Sequence, residues 1–224
     1  MIPIRDENPT RRVPVVTIAL IAINALVFLY QVLQPAEVQR EFVFAFGAIP
    51  LLLTRDFHLL PQFPGHWLSL VSSMFLHGGI LHLGGNMLYL WIFGNNVEDH
   101  LGRPRFVVFY LLCGIAAGLT HTLANIASPL PMIGASGAIS GLLGAYMLLY
   151  PRANVVVMIW FFFFLRFVRI PAFIVLGVWF LMQLPGALGE SGGIAFFAHI
   201  GGFVFGLLFI KLMGRYHPRR SLFA

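Results

Sequence analysis

The sequence predicts an all-α, polytopic membrane protein, on three observations: scarce charge, apolar stretches of bilayer length, and a one-sided distribution of arginine and lysine. Of the 224 residues, 59% are hydrophobic and 10% charged, whereas a soluble domain carries about 25% charged residues. Stretches at 13–33, 106–126 and 195–213 each reach the roughly 20 apolar residues that cross a hydrocarbon core. Helical patterns at 81–97, 136–149 and 170–184 bring the expected spans to six. The apolar run at 155–165 is too short to span, at about eleven residues, and is expected as a re-entrant or interfacial segment.

With the N-terminus inside, twelve of the fourteen Lys and Arg, all but Arg40 and Arg55, fall on the cytoplasmic side. The positive-inside rule requires such an asymmetry, and a spanning 155–165 segment would divide Arg152 from Arg166 and Arg169. Both termini are therefore expected in the cytoplasm, with the protein in the cell (inner) membrane. The expected organisation is an N-terminal tail at 1–12, one membrane domain at 13–214 and a C-terminal tail at 215–224. Arg5, Arg11 and Arg12 precede the first apolar run, but no small-residue cleavage site follows, so that helix is read as retained. The external loop at 34–76 mixes charge with apolar stretches and is expected to lie partly in the membrane interface.

The net charge of +6 forms no basic patch interleaved with aromatics, which argues against a nucleic-acid partner. Its partner is the lipid bilayer. The single cysteine, Cys113, lies in an apolar run and offers neither an intrachain disulfide nor a thiolate metal site. No cofactor or metal is expected.

In a six-span topology the helices beginning near 81, 136 and 195 all enter from outside, so their N-termini share one depth. His82 and Asn86, Ser136, and His199 lie in those opening turns. A polar residue inside a membrane is costly and faces a bundle interior or a hydrated cavity. Any one of the four is as readily a packing residue bonded to a backbone carbonyl, but here four converge. Ser136, in Gly134-Ala135-Ser136-Gly137, sits at a helix start, where serine is also a common N-cap. His199 distinguishes the readings, because it could accept the Ser136 proton as in Ser–His catalysis. His82 and Asn86, spaced i,i+4, share a face and could both point at an oxyanion, with the Ser136 N–H and the positive end of its helix. Interhelical hydrogen bonding is the rival role for that pair.

Gly137, Gly141 and Gly144 on one helix, and Gly202 with Gly206 on another, form small faces that would bring Ser136 beside His199. The eight acidic residues all fall in the tail or loops, and only Glu190 could approach His199. A Ser–His dyad is the economical reading.

These residues resemble the rhomboid family of intramembrane serine proteases. The nucleophile motif is matched by Gly134-Ala135-Ser136-Gly137, the histidine helix by Ala198-His199-Ile200-Gly201-Gly202 with Gly206 beyond, and the second-helix pattern by His77, His82 and Asn86. The resemblance extends from about Trp67 to Gly206. It implies a six-helix rhomboid-like bundle in which Ser136 is the nucleophile and His199 the base. Asn86, His82 and the Ser136 amide would surround the oxyanion, with His77 structural. It further implies transmembrane protein substrates, cut near the outer surface where the helix opens easily, after a small side chain. Two positions depart from the family pattern. Trp67 is followed by Leu68 where many members carry arginine, and Ser140 stands where many place an aromatic beneath the histidine ring.

Two other functions are weighed: a non-proteolytic relative that binds or escorts membrane segments, and a transporter or proton pathway. The Ser136 and His199 pair argues against the first, and the lack of an intramembrane carboxylate against the second. For substrate access, the loop at 185–193 with its four glycines is expected to cap the site and, with helix five, to open sideways.

Overall fold

The computed structural model of the protein describes residues 2–54, 66–161, 164–189 and 194–213. Pro14 and Pro35 bound the first apolar stretch, and between them α1 runs over Val15–Val32. The next segment folds as short helices, α2 (Ala36–Phe46), α3 (Pro50–Thr54) and α4 (Ser69–Ser72). After Phe75 the chain bends by 85° into α5 (Ile80–Tyr89), which continues through a π-helical turn at Leu90–Gly94 into α6 (Asn95–Leu101). Gly102, at φ 76, makes the turn into α7 (Arg103–Ala124). Then come α8 (Ser136–Leu149), β2 (Asn154–Phe161), β3 (Phe164–Pro171), α9 (Ala172–Leu181), α10 (Gln183–Leu188) and α11 (Phe196–Met213). Residues 2–6, within the stretch read as an N-terminal tail, form β1 (Ile2–Asp6).

This is an integral, multi-pass membrane protein, mostly helical as expected. The helices α1, α7 and α11 are each long and apolar enough to cross a bilayer, while α8 and the α9–α10 pair are apolar but shorter. At the centre stands α8, buried at nearly every residue from Gly137 to Tyr146. Small side chains make that position possible. A Cβ added to Gly202 would overlap the Gly137 carbonyl oxygen, and one on Gly206 the Gly141 carbonyl oxygen, so α8 and α11 pack backbone to backbone.

The run at 155–165 departs from the expectation of a re-entrant or interfacial segment. It lies in the β2–β3 hairpin, and β1 completes a three-stranded antiparallel sheet in the order β1-β2-β3. The β-branched Val155, Val156 and Val157 favour extended backbone, and Val155 and Val157 are fully buried in the main core. The fifth helix also differs from its expected bounds. Pro171 is extended and caps α9, so the helix begins two residues later than 170. Past the α9 C-cap at Met182, α10 continues to Leu188, so residues 185–188 of the expected 185–193 loop are helical. Residues 190–193, with Glu190, lie outside the described residues.

The N-terminal segment is pinned at the sheet end of the bundle. The Glu98 carboxylate of α6, 3% exposed, accepts from the Val16 N–H at 3.0 Å, the Thr17 N–H at 2.7 Å and the Thr17 hydroxyl at 2.8 Å. It thereby caps the positive N-terminus of α1. Asp6 of β1 accepts from Tyr146 Oη at 2.6 Å and Asn96 Nδ2 at 2.8 Å. Glu7 pairs with Arg169 at 2.7 Å, and that bond holds the Glu7 carboxyl below its ordinary pKa.

Candidate active site

The start of α8 is set by the turn before it. Gly134 has φ 119, a conformation that suits glycine, and its N–H donates to the Ser73 carbonyl at 2.8 Å. A Cβ there would stand 2.8 Å from the His82 ring and 3.6 Å from Asn86 Nδ2. The α5 side chains therefore close directly on the backbone that leads to Ser136. As first residue of α8, Ser136 has an N–H with no acceptor inside the helix.

Across from it, α11 presents His199, whose Nε2 lies 2.9 Å from Ser136 Oγ. The other ring nitrogen, Nδ1, lies 2.9 Å from Gln183 Oε1. The Trp179 and Phe196 rings flank the imidazole at centroid distances of 5.9 Å and 6.2 Å. Ser136, His199, His82 and Asn86 all line one cavity of about 710 Å³, which Trp179 and His121 also line.

Hydrogen bonding orients the α5 pair. The Gly78 N–H donates to His82 Nδ1 at 3.3 Å, so in a neutral ring the proton is on Nε2, the nitrogen nearest Gly134. Asn86 is 8% exposed, and its Nδ2 is buried with no partner among the described residues. A buried donor without an acceptor is costly, and here it borders a cavity beside a nucleophile-type hydroxyl. His77, fully buried at the bend, meets the His82 ring edge-on at 5.1 Å, and its carbonyl accepts from Gln31 Nε2 at 3.0 Å. It braces the bend against α1 and does not line the cavity.

Ser140, the position that departs from the family pattern, donates back to the Ser136 carbonyl at 2.6 Å. The residue that sequence reasoning did not single out is Gln183. Its signal is present: it is the one amide in the apolar run at 172–188.

A family model for the Rhomboid domain matches residues 64–216. The chain belongs to the rhomboid family. Over 135 residues it is 38% identical to Rhomboid protease GluP of Bacillus subtilis, a match covering 60% of this chain and 24% of that protein. It is 34% identical over 152 residues to the mitochondrial Rhomboid protein 1 of Saccharomyces cerevisiae, covering 63% of this chain and 40% of that protein. It is 32% identical over 152 residues to Putative rhomboid protease YdcA of Bacillus subtilis, covering 64% of this chain and 68% of that protein. The match to the first two rhomboids is thus confined to less than half of their length.

Proposed function

We propose that this rhomboid is an intramembrane serine endopeptidase that cleaves transmembrane segments of other membrane proteins near the outer surface. The observation that carries the reading is the 2.9 Å approach of His199 Nε2 to Ser136 Oγ, within reach for direct proton transfer. Ser136 Oγ attacks the scissile carbonyl carbon as its proton passes to His199 Nε2. The tetrahedral oxyanion accepts hydrogen bonds from Asn86 Nδ2, His82 Nε2 and the Ser136 N–H, donors that are otherwise unspent. Collapse breaks the C–N bond, the leaving amine takes the proton from Nε2, and an acyl-enzyme on Ser136 remains. Water then attacks the ester with His199 again as base, releasing the acid and restoring the hydroxyl.

The substrate side follows from helix chemistry. A regular helix in lipid satisfies every backbone N–H and C=O internally, so a segment must unwind locally to expose one carbonyl to Ser136. We assign six spans, both termini in the cytoplasm and a place in the cell membrane, on the arginine and lysine distribution. That topology opens the cavity to external water.

The deciding experiment treats the purified protein and Ser136→Ala with a fluorophosphonate probe and a single-span substrate. Labelling and cleavage by the unaltered protein, both lost in Ser136→Ala, support the protease. A folded protein that binds the substrate segment but neither labels nor cleaves would favour a non-proteolytic escort role.

A further inference from the structure

The nucleophile helix offers His199 no aromatic four residues after Ser136, where Ser140 stands. It meets α11 through glycine, and Ser140 turns its hydroxyl back onto its own helix. The imidazole is braced instead from the α9–α10 segment, by the Trp179 ring and by Gln183. These two residues are four apart and face the same way across the α9–α10 junction.

The amide of Gln183 is itself oriented. Its Nε2 donates to the Trp179 carbonyl at 2.7 Å, which leaves Oε1, an acceptor, facing His199 Nδ1 at 2.9 Å. An acceptor there requires the proton on Nδ1, so the Nε2 lone pair is left for Ser136 Oγ. Were the ring to flip or change tautomer, the amide oxygen of Gln183, a residue 7% exposed, would lose its partner. A carboxylate could fill the same place, but in an apolar segment its charge would be costly.

We propose that Gln183 is a positioning residue that sets the tautomer and ring orientation of His199, so that catalysis requires the α9–α10 segment to be seated against α11. The proposal rests on the Ser136–His199 reading above. Displacement of α9–α10 to admit a substrate would withdraw both Gln183 and Trp179 from the ring. The base is then complete only after that segment closes again, which places a closure step between substrate entry and attack.

The test compares Gln183→Met, which keeps the bulk and removes the acceptor, with Gln183→Glu, which keeps an acceptor. Turnover, KM and the pH dependence of turnover are read on a single-span substrate, with His199→Ala in parallel. His82, Tyr89 and His121 line the same cavity and are the other titratable groups there among the described residues. They stay constant across the series. Gln183→Met is expected to lower kcat by about 10- to 100-fold with KM little changed, a large part of what a general base contributes. Gln183→Glu is expected to recover much of that loss and to move the acid limb of the profile to higher pH, because a carboxylate favours the imidazolium. Turnover in Gln183→Met within about threefold of the unaltered protein would overturn the positioning role, and so would an unmoved acid limb in Gln183→Glu. Should Gln183→Met fail to fold, the limb in Gln183→Glu decides. Cleavage persisting in His199→Ala would instead defeat the dyad, a failure distinguishable from that of Gln183.

Discussion

At the end of α8 that carries Ser136, Asn86 Nδ2 is buried and has no partner among the described residues. Near its other end, the Glu98 carboxylate accepts three hydrogen bonds and the Asp6 carboxylate two. Both regions hold buried polar groups in an apolar bundle, where each costs free energy unless bonded. At the sheet end that cost is offset by pairing, which ties the chain's first residues to α6 and α8. At the site end an N–H donor is held ready with nothing to bond, and that is what a transient anion needs. Unspent hydrogen-bonding capacity that faces a cavity distinguishes Asn86 from these carboxylates, and also from Tyr110 and Thr122, which are buried and unpartnered among the described residues but do not line the site cavity.

The comparison breaks most sharply at His199. His199→Ala should abolish cleavage, with a loss above about 10⁴-fold, because nucleophile and base act as a unit. The thermal midpoint should stay close to that of the unaltered protein. Asn86→Ala should reduce turnover by about 10²–10³-fold and leave stability unchanged or slightly raised, since it removes an unpaired buried group. A thermal melt beside an initial-rate assay reads both. Asn86→Ala with full turnover and a lowered midpoint would make Asn86 scaffold and erase the contrast.

The legible parts of the molecule were those with strong periodicity or length. The helix expected at 136–149 has those bounds, and the long apolar stretches became α1, α7 and α11. The glycine faces on α8 and α11 also meet as their spacing implies. The sheet was not legible. The run at 155–165 is apolar without alternation, so its periodicity does not separate strand from helix. One of the two strands that pair with β2 lies about 150 positions away, at Ile2–Asp6, and contains Pro3. In the candidate site, Ser136, His199, Asn86 and His82 stood out through chemical type and shared depth. Gln183 did not, because an amide four residues from a tryptophan reads as interhelical glue until its two bonds are seen.

A change at the sheet end should reverse the pattern of Asn86. Glu98→Ala strips three hydrogen bonds from the N-terminus of α1 and leaves buried N–H groups without acceptors. The expected cost is about 3 kcal/mol of stability, read as a lower thermal midpoint. Turnover per folded molecule should be unaffected, as Glu98 does not line the site cavity. A Glu98→Ala protein that keeps its midpoint but loses activity would join the two ends and break the contrast from the other side.

The smallest expected effect concerns Asp6, whose pKa burial raises from 3.8 to about 6, against the opposing hydrogen bonds from Tyr146 and Asn96. A carboxyl with a folded pKa above its unfolded value binds protons more tightly when folded. Its contribution is therefore fully present below the unfolded value and is lost as pH rises through about 6. Glu7 has the opposite sign, because Arg169 lowers its pKa from 4.5 and its contribution is lost only in stronger acid. Histidines of the unfolded chain also take up protons between about pH 5 and 7, so Asp6 is isolated as the difference between the unaltered protein and Asp6→Asn, which should move in favour of the unaltered protein on acidification by the equivalent of about 1 kcal/mol, discounted for partial exposure of the carboxyl. Asp6→Asn, a neutral isostere, should leave cleavage at pH 7 unchanged. A difference between the two proteins that does not change with pH would assign the titration to other groups, and one that moves against the unaltered protein on acidification would contradict the sign. The first result would leave the paired carboxylates of the sheet end as purely mechanical ties, with no response to proton concentration in this range.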